Sequence, residues 1–137
     1  MTFYILDTDH ISLHQRQDPK VTSRIDAHSA EELAVTAVTL GEQMRRRLAQ
    51  LGQKKVSLSA AYELLRSTAE YFCSIRVLPF DEDARKRYES LRSQQIRIGK
   101  MDLRIAAVVL GHDAVLVTRN RRDFEQVRDL QIEDWSR

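Results

Sequence analysis

Four short apolar runs, Phe3 to Leu6, Leu33 to Thr36, Val77 to Phe80 and Ala114 to Thr118, punctuate the chain, with stretches of helical character between them. Each run is β-branched or aromatic in part and shows no alternation with polar residues, so it reads as a strand covered on both faces. Strands of that kind belong to parallel sheets, whose neighbours need crossover connections, and the intervening helices supply them. The expected fold class is therefore α/β, a three-layer α/β/α domain around a mainly parallel sheet of four to five strands.

The helical stretches carry their own start and stop signals. Pro19 follows Asp18 as an N1 proline follows a cap. Val56 to Ile75 places Leu58, Ala61, Tyr62, Leu65, Ala69 and Phe72 at helical spacing, and its apolar and aromatic residues, Tyr62, Tyr71 and Phe72 among them, are expected mostly in the core. Asp81, Glu82 and Asp83 open a helix expected to reach about Ile98 before Gly99, and Asp102 opens another over Leu103 to Leu110. With 137 residues, four glycines, two prolines and no low-complexity stretch, residues 1–137 are expected to form a single domain.

Several function classes drop out. The longest apolar run, Ile105 to Gly111, is far short of the roughly 18 residues that a membrane span requires. MTFYILDTDH lacks the basic segment and cleavage site of a secretory leader, so a cytoplasmic protein is expected. The single cysteine, Cys73, excludes an intrachain disulfide and a zinc site of four thiolates, and reads as a small buried hydrophobe. Twenty-two basic against 20 acidic residues leave a net charge of +2, so bulk charge names no partner; the arginine clusters Arg45 to Arg47 and Arg119, Arg121 and Arg122 are more informative.

In α/β folds ligands bind beyond the carboxyl ends of the strands. Asp7 follows the FYIL run, Glu42 lies just past LAVT, and Asn120 and Asp123 follow AVLVT, while Asp102 starts a helix after Gly-Lys-Met. Asp7, Glu42, Asp102 and Asp123 are thus candidates to converge. Gathered carboxylates repel, and a divalent cation is the natural compensation; ligands that are all oxygen select Mg2+ or Mn2+. Such a centre suits hydrolysis of phosphodiesters by metal-activated water. Taken singly, each residue also reads as a helix cap: Asp7 or Asp9 before the first helix, Thr39 to Glu42 as a capping box, Asn120 and Asp123 as N-cap and N3, Asp102 as an N-cap. Capping does not explain why three strand ends carry such a residue.

The segments YILDTDHIS, VTAVTLGEQMRR, MDLRIAAVVLGHDAVLVTRNRRDFEQV and LQIEDW together resemble the PIN-domain ribonucleases, of the VapC toxin type from toxin-antitoxin pairs, over the whole chain. The resemblance implies a PIN-like fold and a metal-dependent endoribonuclease. It implies that Asp7, Glu42, Asp102 and the more variable Asp123 are catalytic and hold the metal. It also implies that Thr118 lines the site and contacts substrate or a metal-bound water, that Asn120 shares the role of Asp123, and that the partners are RNA, a cognate antitoxin and a second copy of the chain in a homodimer. Arg121 and Arg122, by their position beside the site, are expected with Thr118 and Asn120 at the substrate. The sequence departs from the family pattern at GEQMRRR, where Gln43 and the arginine run stand in place of apolar residues.

Two other classes compete. A phosphatase with Asp7 as nucleophile and Asp9 as general acid fits the Asp-x-Asp after the first strand, but lacks room for the cap domain such chemistry usually adds. A catalytically silent RNA- or protein-binding module would use the same acidic cleft only to hold a partner. Of Arg45 to Arg47, one or two are expected at RNA phosphates beside Glu42 and the rest in solvent. His10 and His14, four apart, lack the residues that complete a zinc motif and are expected at the surface or partly packed. Trp135 is expected to anchor the last strand by burying its indole.

Overall fold

The computed structural model describes residues 2–137. Five strands, β1 (Tyr4–Leu6), β2 (Leu33–Thr36), β3 (Val77–Leu78), β4 (Val115–Val117) and β5 (Gln131–Glu133), form one sheet in the order β3-β2-β1-β4-β5. Every neighbouring pair is parallel. The helices are α1 (Thr8–Gln15), α2 (Pro19–Asp26), α3 (Ala37–Gln50), α4 (Leu58–Cys73), α5 (Glu82–Ser93), α6 (Lys100–Gly111) and α7 (Arg121–Phe124), with a 3-10 turn over Ala30–Glu32. The α/β expectation and its parallel sheet hold.

Period-two alternation sends successive strand residues into two separate cores. Ile5, Ala34 and Leu116 enter one with Tyr88 and Leu91 of α5 and with Leu103 and Ile105 to Val109 of α6. Leu6, Val35 and Val117 enter the other with Ile11 of α1, Val21 and Ile25 of α2 and Phe72 of α4. Helices thus cover both faces, which is why the strands read as unbroken apolar runs. Trp135 is fully buried beside β5, stacked on His28 at 5.0 Å with the Arg24 guanidinium 5.2 Å from its ring centre, as expected of an anchor.

Several local expectations fail for identifiable reasons. Helix α5 stops at Ser93 rather than near Ile98 because Gln95 takes a left-handed conformation at φ 56°, the position glycine usually fills. Gly99 does not end that helix; it is the N-cap residue of α6. Cys73 ends α4 exposed rather than buried. Tyr62 is 55% exposed, while Tyr71 is partly buried and Phe72 is buried as expected, so α4 turns a wider apolar face to solvent than its spacing suggests. Among the described residues no helix is long and apolar enough to cross a membrane.

Strand β1 sits at the centre, with β2 on one side and β4 on the other. The chain therefore leaves the ends of β1 and β4 in opposite directions, and a crevice opens between them. Asp7 and Thr118 are the first residues past those two ends.

Candidate active site

Asp7 is 6% exposed and caps α1, accepting from its neighbour Thr8 N–H at 2.8 Å on Oδ1. Its other oxygen, Oδ2, accepts from the fully buried Thr118 hydroxyl at 2.8 Å, which fastens the end of β1 to the end of β4. Thr118 Oγ1 in turn accepts from Asn120 N–H at 3.0 Å. Asn120 donates from its side chain to Asp123 Oδ2 at 3.1 Å. One chain of hydrogen bonds thus runs from Asp7 through Thr118 and Asn120 to Asp123, linking four residues that the sequence marks as candidates.

Asp102 and Glu42 enter from the helices. Asp102 is the third residue of α6, behind the N-cap Gly99, so it is not itself the cap; no hydrogen bond to its carboxylate occurs among the described residues. Glu42 is the sixth residue of α3, whose N-cap is Thr36, accepting from Thr39 N–H at 3.1 Å. The capping box read over Thr39 to Glu42 is therefore absent, and Glu42 pairs instead with Arg46 at 3.4 Å. Asn120 is the N-cap of α7 but makes no side-chain capping bond. Capping survives as an explanation only for Asp7.

The electrostatics join the two groups. Burial, then the Asp9 charge and more weakly Asp102, push the Asp7 carboxyl up to about 7, against the opposing hydrogen bonds from Thr118 and Thr8. Asp102 is also raised, first by burial and then by the charges of Asp123, Glu42 and Asp9. Asp7, Asp9, Glu42, Asp102 and Asp123 therefore share one field. Among the described residues no three carboxylate, imidazole or thiolate groups stand close enough to chelate an ion as positioned. The donor set suits a hard cation nonetheless: every donor is oxygen, and the charges acting on Asp7 and Asp102 are all carboxylates.

Asp9 reads from the sequence as a helix cap or a phosphatase acid, and its place in this field is not legible there. Its Oδ2 accepts from Arg119 N–H at 3.1 Å, and its Oδ1 lies 2.7 Å from His10 Nδ1. His10 is fully buried, contrary to the surface or partly packed position expected. Its Nε2 accepts from Trp135 N–H at 3.0 Å, so in the neutral ring Nδ1 carries the proton and donates it to Asp9. The signal is the run Asp-Thr-Asp-His itself, where a second carboxylate falls in the first turn of the helix after the strand. His14, partly buried, is joined instead to the Tyr71 hydroxyl at 2.8 Å.

The arginines sort by partner. Arg46 is on Glu42, and Arg47 donates to Thr68 and Gln50. Gln43, the departure from the family pattern, is fully buried and accepts from Gln15 at 3.4 Å, while its own amide nitrogen has no partner among the described residues. Arg121 pairs with Glu125 at 3.4 Å, whereas Arg122 makes no ion pair among the described residues and is exposed beside Asp123.

In comparisons with known proteins, residues 4–130 match the family model of the PIN domain. The chain is 34% identical over 141 residues to VapC ribonuclease Y4jK of Sinorhizobium fredii, with 96% of each chain covered. It is 28% identical to ribonuclease VapC1 of Haemophilus influenzae, with 98% of each covered. Its fold is similar to that in the crystal structure of DNA-bound VapBC from Salmonella typhimurium, with a TM-score of 0.81 at 23% identity over 98% of this chain and 99% of that one.

Proposed function

The chain belongs to the PIN-domain family, among its VapC ribonucleases, and on that premise we propose that it is a Mg2+- or Mn2+-dependent endoribonuclease. It acts as the toxin of a toxin-antitoxin pair in the cytoplasm and is held in check by a cognate antitoxin protein. The observation that carries the reading is Asp102: a carboxylate with no hydrogen-bond donor, raised by burial and by three other carboxylates, at the start of a helix where it caps nothing.

Asp7, Asp102, Glu42 and Asp123 would hold the ion. Bound there, it would supply Lewis-acid stabilisation for charge developing on phosphate oxygens and would acidify water. Thr118 keeps Asp7 Oδ2 aimed by donating to it, and Asn120 does the same for Asp123. Glu42, whose ion-pair partner is the exposed Arg46, would also orient the attacking water. Arg121 and Arg122 at the rim bind phosphate without reading sequence. The exposed Leu48, Leu58, Tyr62 and Leu64 on α3 and α4 support association, with a second copy of the chain or with the antitoxin.

The reading is tested on the purified chain, freed of any partner, with structured RNA. Cleavage should require Mg2+ or Mn2+ and stop on chelation; a silent binding module would show none. Glu42→Gln should cut cleavage by orders of magnitude and change stability by less than ~1 kcal/mol, since the side chain gives up no more than a surface ion pair with Arg46. Full activity in that variant would remove Glu42 from the site. Arg122→Gln should lower the slope of log affinity for single-stranded RNA against log salt by about 0.7, the value of one phosphate contact. An unchanged slope would place Arg122 away from the substrate.

A further inference from the structure

Beside the carboxylates, between α3, α5 and α6, lies a pocket of about 470 Å3 that the metal centre does not use. It begins one residue from each side of the acidic centre: Gly41 precedes Glu42 on α3, and Met101 precedes Asp102 on α6. Val38, Glu42 and Arg45 are spaced four and three apart on α3, so one helix face carries both the pocket wall and a catalytic carboxylate.

The lining is basic and aromatic. Arg45, Arg85 and Arg104 all reach the pocket. Arg85 is paired with Glu82, and the one acidic lining residue, Glu89, is drawn towards Arg92. Arg45 and Arg104, by contrast, have no carboxylate partner among the described residues. The Arg104 guanidinium lies 5.2 Å from the centre of the buried Tyr88 ring and, among the described residues, hydrogen-bonds only to the Met101 sulfur at 3.6 Å, so its planar fork is held in place with most of its donors unused. Phe80 is half-buried and lines the pocket, its ring 6.2 Å from Tyr88 in an edge-on arrangement.

Two guanidiniums without a carboxylate partner beside a half-buried aromatic ring match what a nucleotide needs: an anion site for its phosphate and a ring against which its base can pack. The volume suits one nucleotide, not a duplex. We propose that the pocket between α3, α5 and α6 is a subsite for one nucleotide of single-stranded RNA flanking the cleaved phosphodiester, with its phosphate on Arg45 and Arg104 and its base on Phe80. The proposal rests on the ribonuclease reading. It makes the pocket, rather than the carboxylates, the part that selects unpaired RNA.

The test uses the full chain in chelator with a fluorescein-labelled single-stranded RNA decamer of mixed sequence, binding being followed by anisotropy across a salt series. Arg45→Gln combined with Arg104→Gln should weaken binding about tenfold and lower the salt slope by about 1.4, that of two single-strand contacts. Gly41→Leu gives an independent readout. A Cβ at Gly41 meets nothing within 4 Å and Gly41 lines the pocket, so the added side chain starts in open space and is directed to occupy the pocket, and a helical glycine is replaced by a better helix former. It should weaken binding about tenfold with the slope unchanged and the melting temperature maintained or raised. Wild-type affinity in both variants, with the parent chain binding RNA and cleaving it in Mg2+, overturns the subsite and leaves the nuclease reading standing. A parent chain that neither binds nor cleaves RNA overturns both. Loss of binding accompanied by a changed sedimentation coefficient overturns the subsite in favour of an interface between copies.

Discussion

Asp102→Asn should abolish Mg2+-dependent RNA cleavage, a loss of several orders of magnitude, and at the same time raise the melting temperature measured in chelator. The first half follows from the proposed role of Asp102 as a principal ligand of the ion. The second follows from the sign of its shift. A carboxyl raised above its ordinary range is one whose surroundings, the favourable helix terminus included, disfavour the charge, and burial with the charges of Asp123, Glu42 and Asp9 accounts for that. The asparagine loses no hydrogen bond because the aspartate makes none, so neutralisation removes repulsion at little cost. Added Mg2+ should then stabilise the parent chain more than the variant, since a ligand that binds only the native state stabilises it more the tighter it binds. A fall of several degrees in chelator with an unaltered Mg2+ effect would make Asp102 a structural residue.

Asp7 predicts an unusual dependence on pH. Its carboxyl titrates near 7 in the folded chain and near 3.8 when unfolded. Between those values the native state holds a proton that the unfolded state has released, so stability falls as pH rises through this window and levels off above about 7. At about 1.4 kcal/mol per pH unit the whole window is worth ~4 kcal/mol. Between pH 5 and 7.5 the metal-free protein should lose roughly 3 kcal/mol from this group, on the order of 10 °C in melting temperature. Asp7→Asn, which keeps an oxygen for the Thr8 N–H, should flatten the profile by that amount. Identical slopes in the two proteins would mean that the Asp7 proton is not coupled to folding.

How far the sequence reaches is seen by following particular residues. The limits of β2 are readable to the residue because both of its faces are buried, and a short unbroken apolar run is what such a strand requires. The end of α5 is not, because a left-handed turn is expected at a glycine and Gln95 takes it. The carboxylates can be picked out, but their roles cannot. Capping and metal binding ask for the same residue types at the same helix starts, and only the register of α3 and α6 shows that Glu42 and Asp102 cap nothing. His10 is hidden for a different reason. Its Nε2 is held by the backbone N–H of Trp135, 125 positions away, and local spacing carries no trace of that contact.

The central claim, that the scattered carboxylates form one divalent-cation centre, is tested most directly by calorimetric titration of Mn2+ into the metal-free protein at pH 6 in buffers of different ionisation enthalpy. Asp7 is then mostly protonated, and an ion must displace that proton to use the oxygen, so saturable binding should release close to one proton per chain. Asp7→Asn should release almost none, and Asp102→Asn should bind far more weakly. Binding that releases no proton, or that persists unchanged in both variants, would contradict the claim.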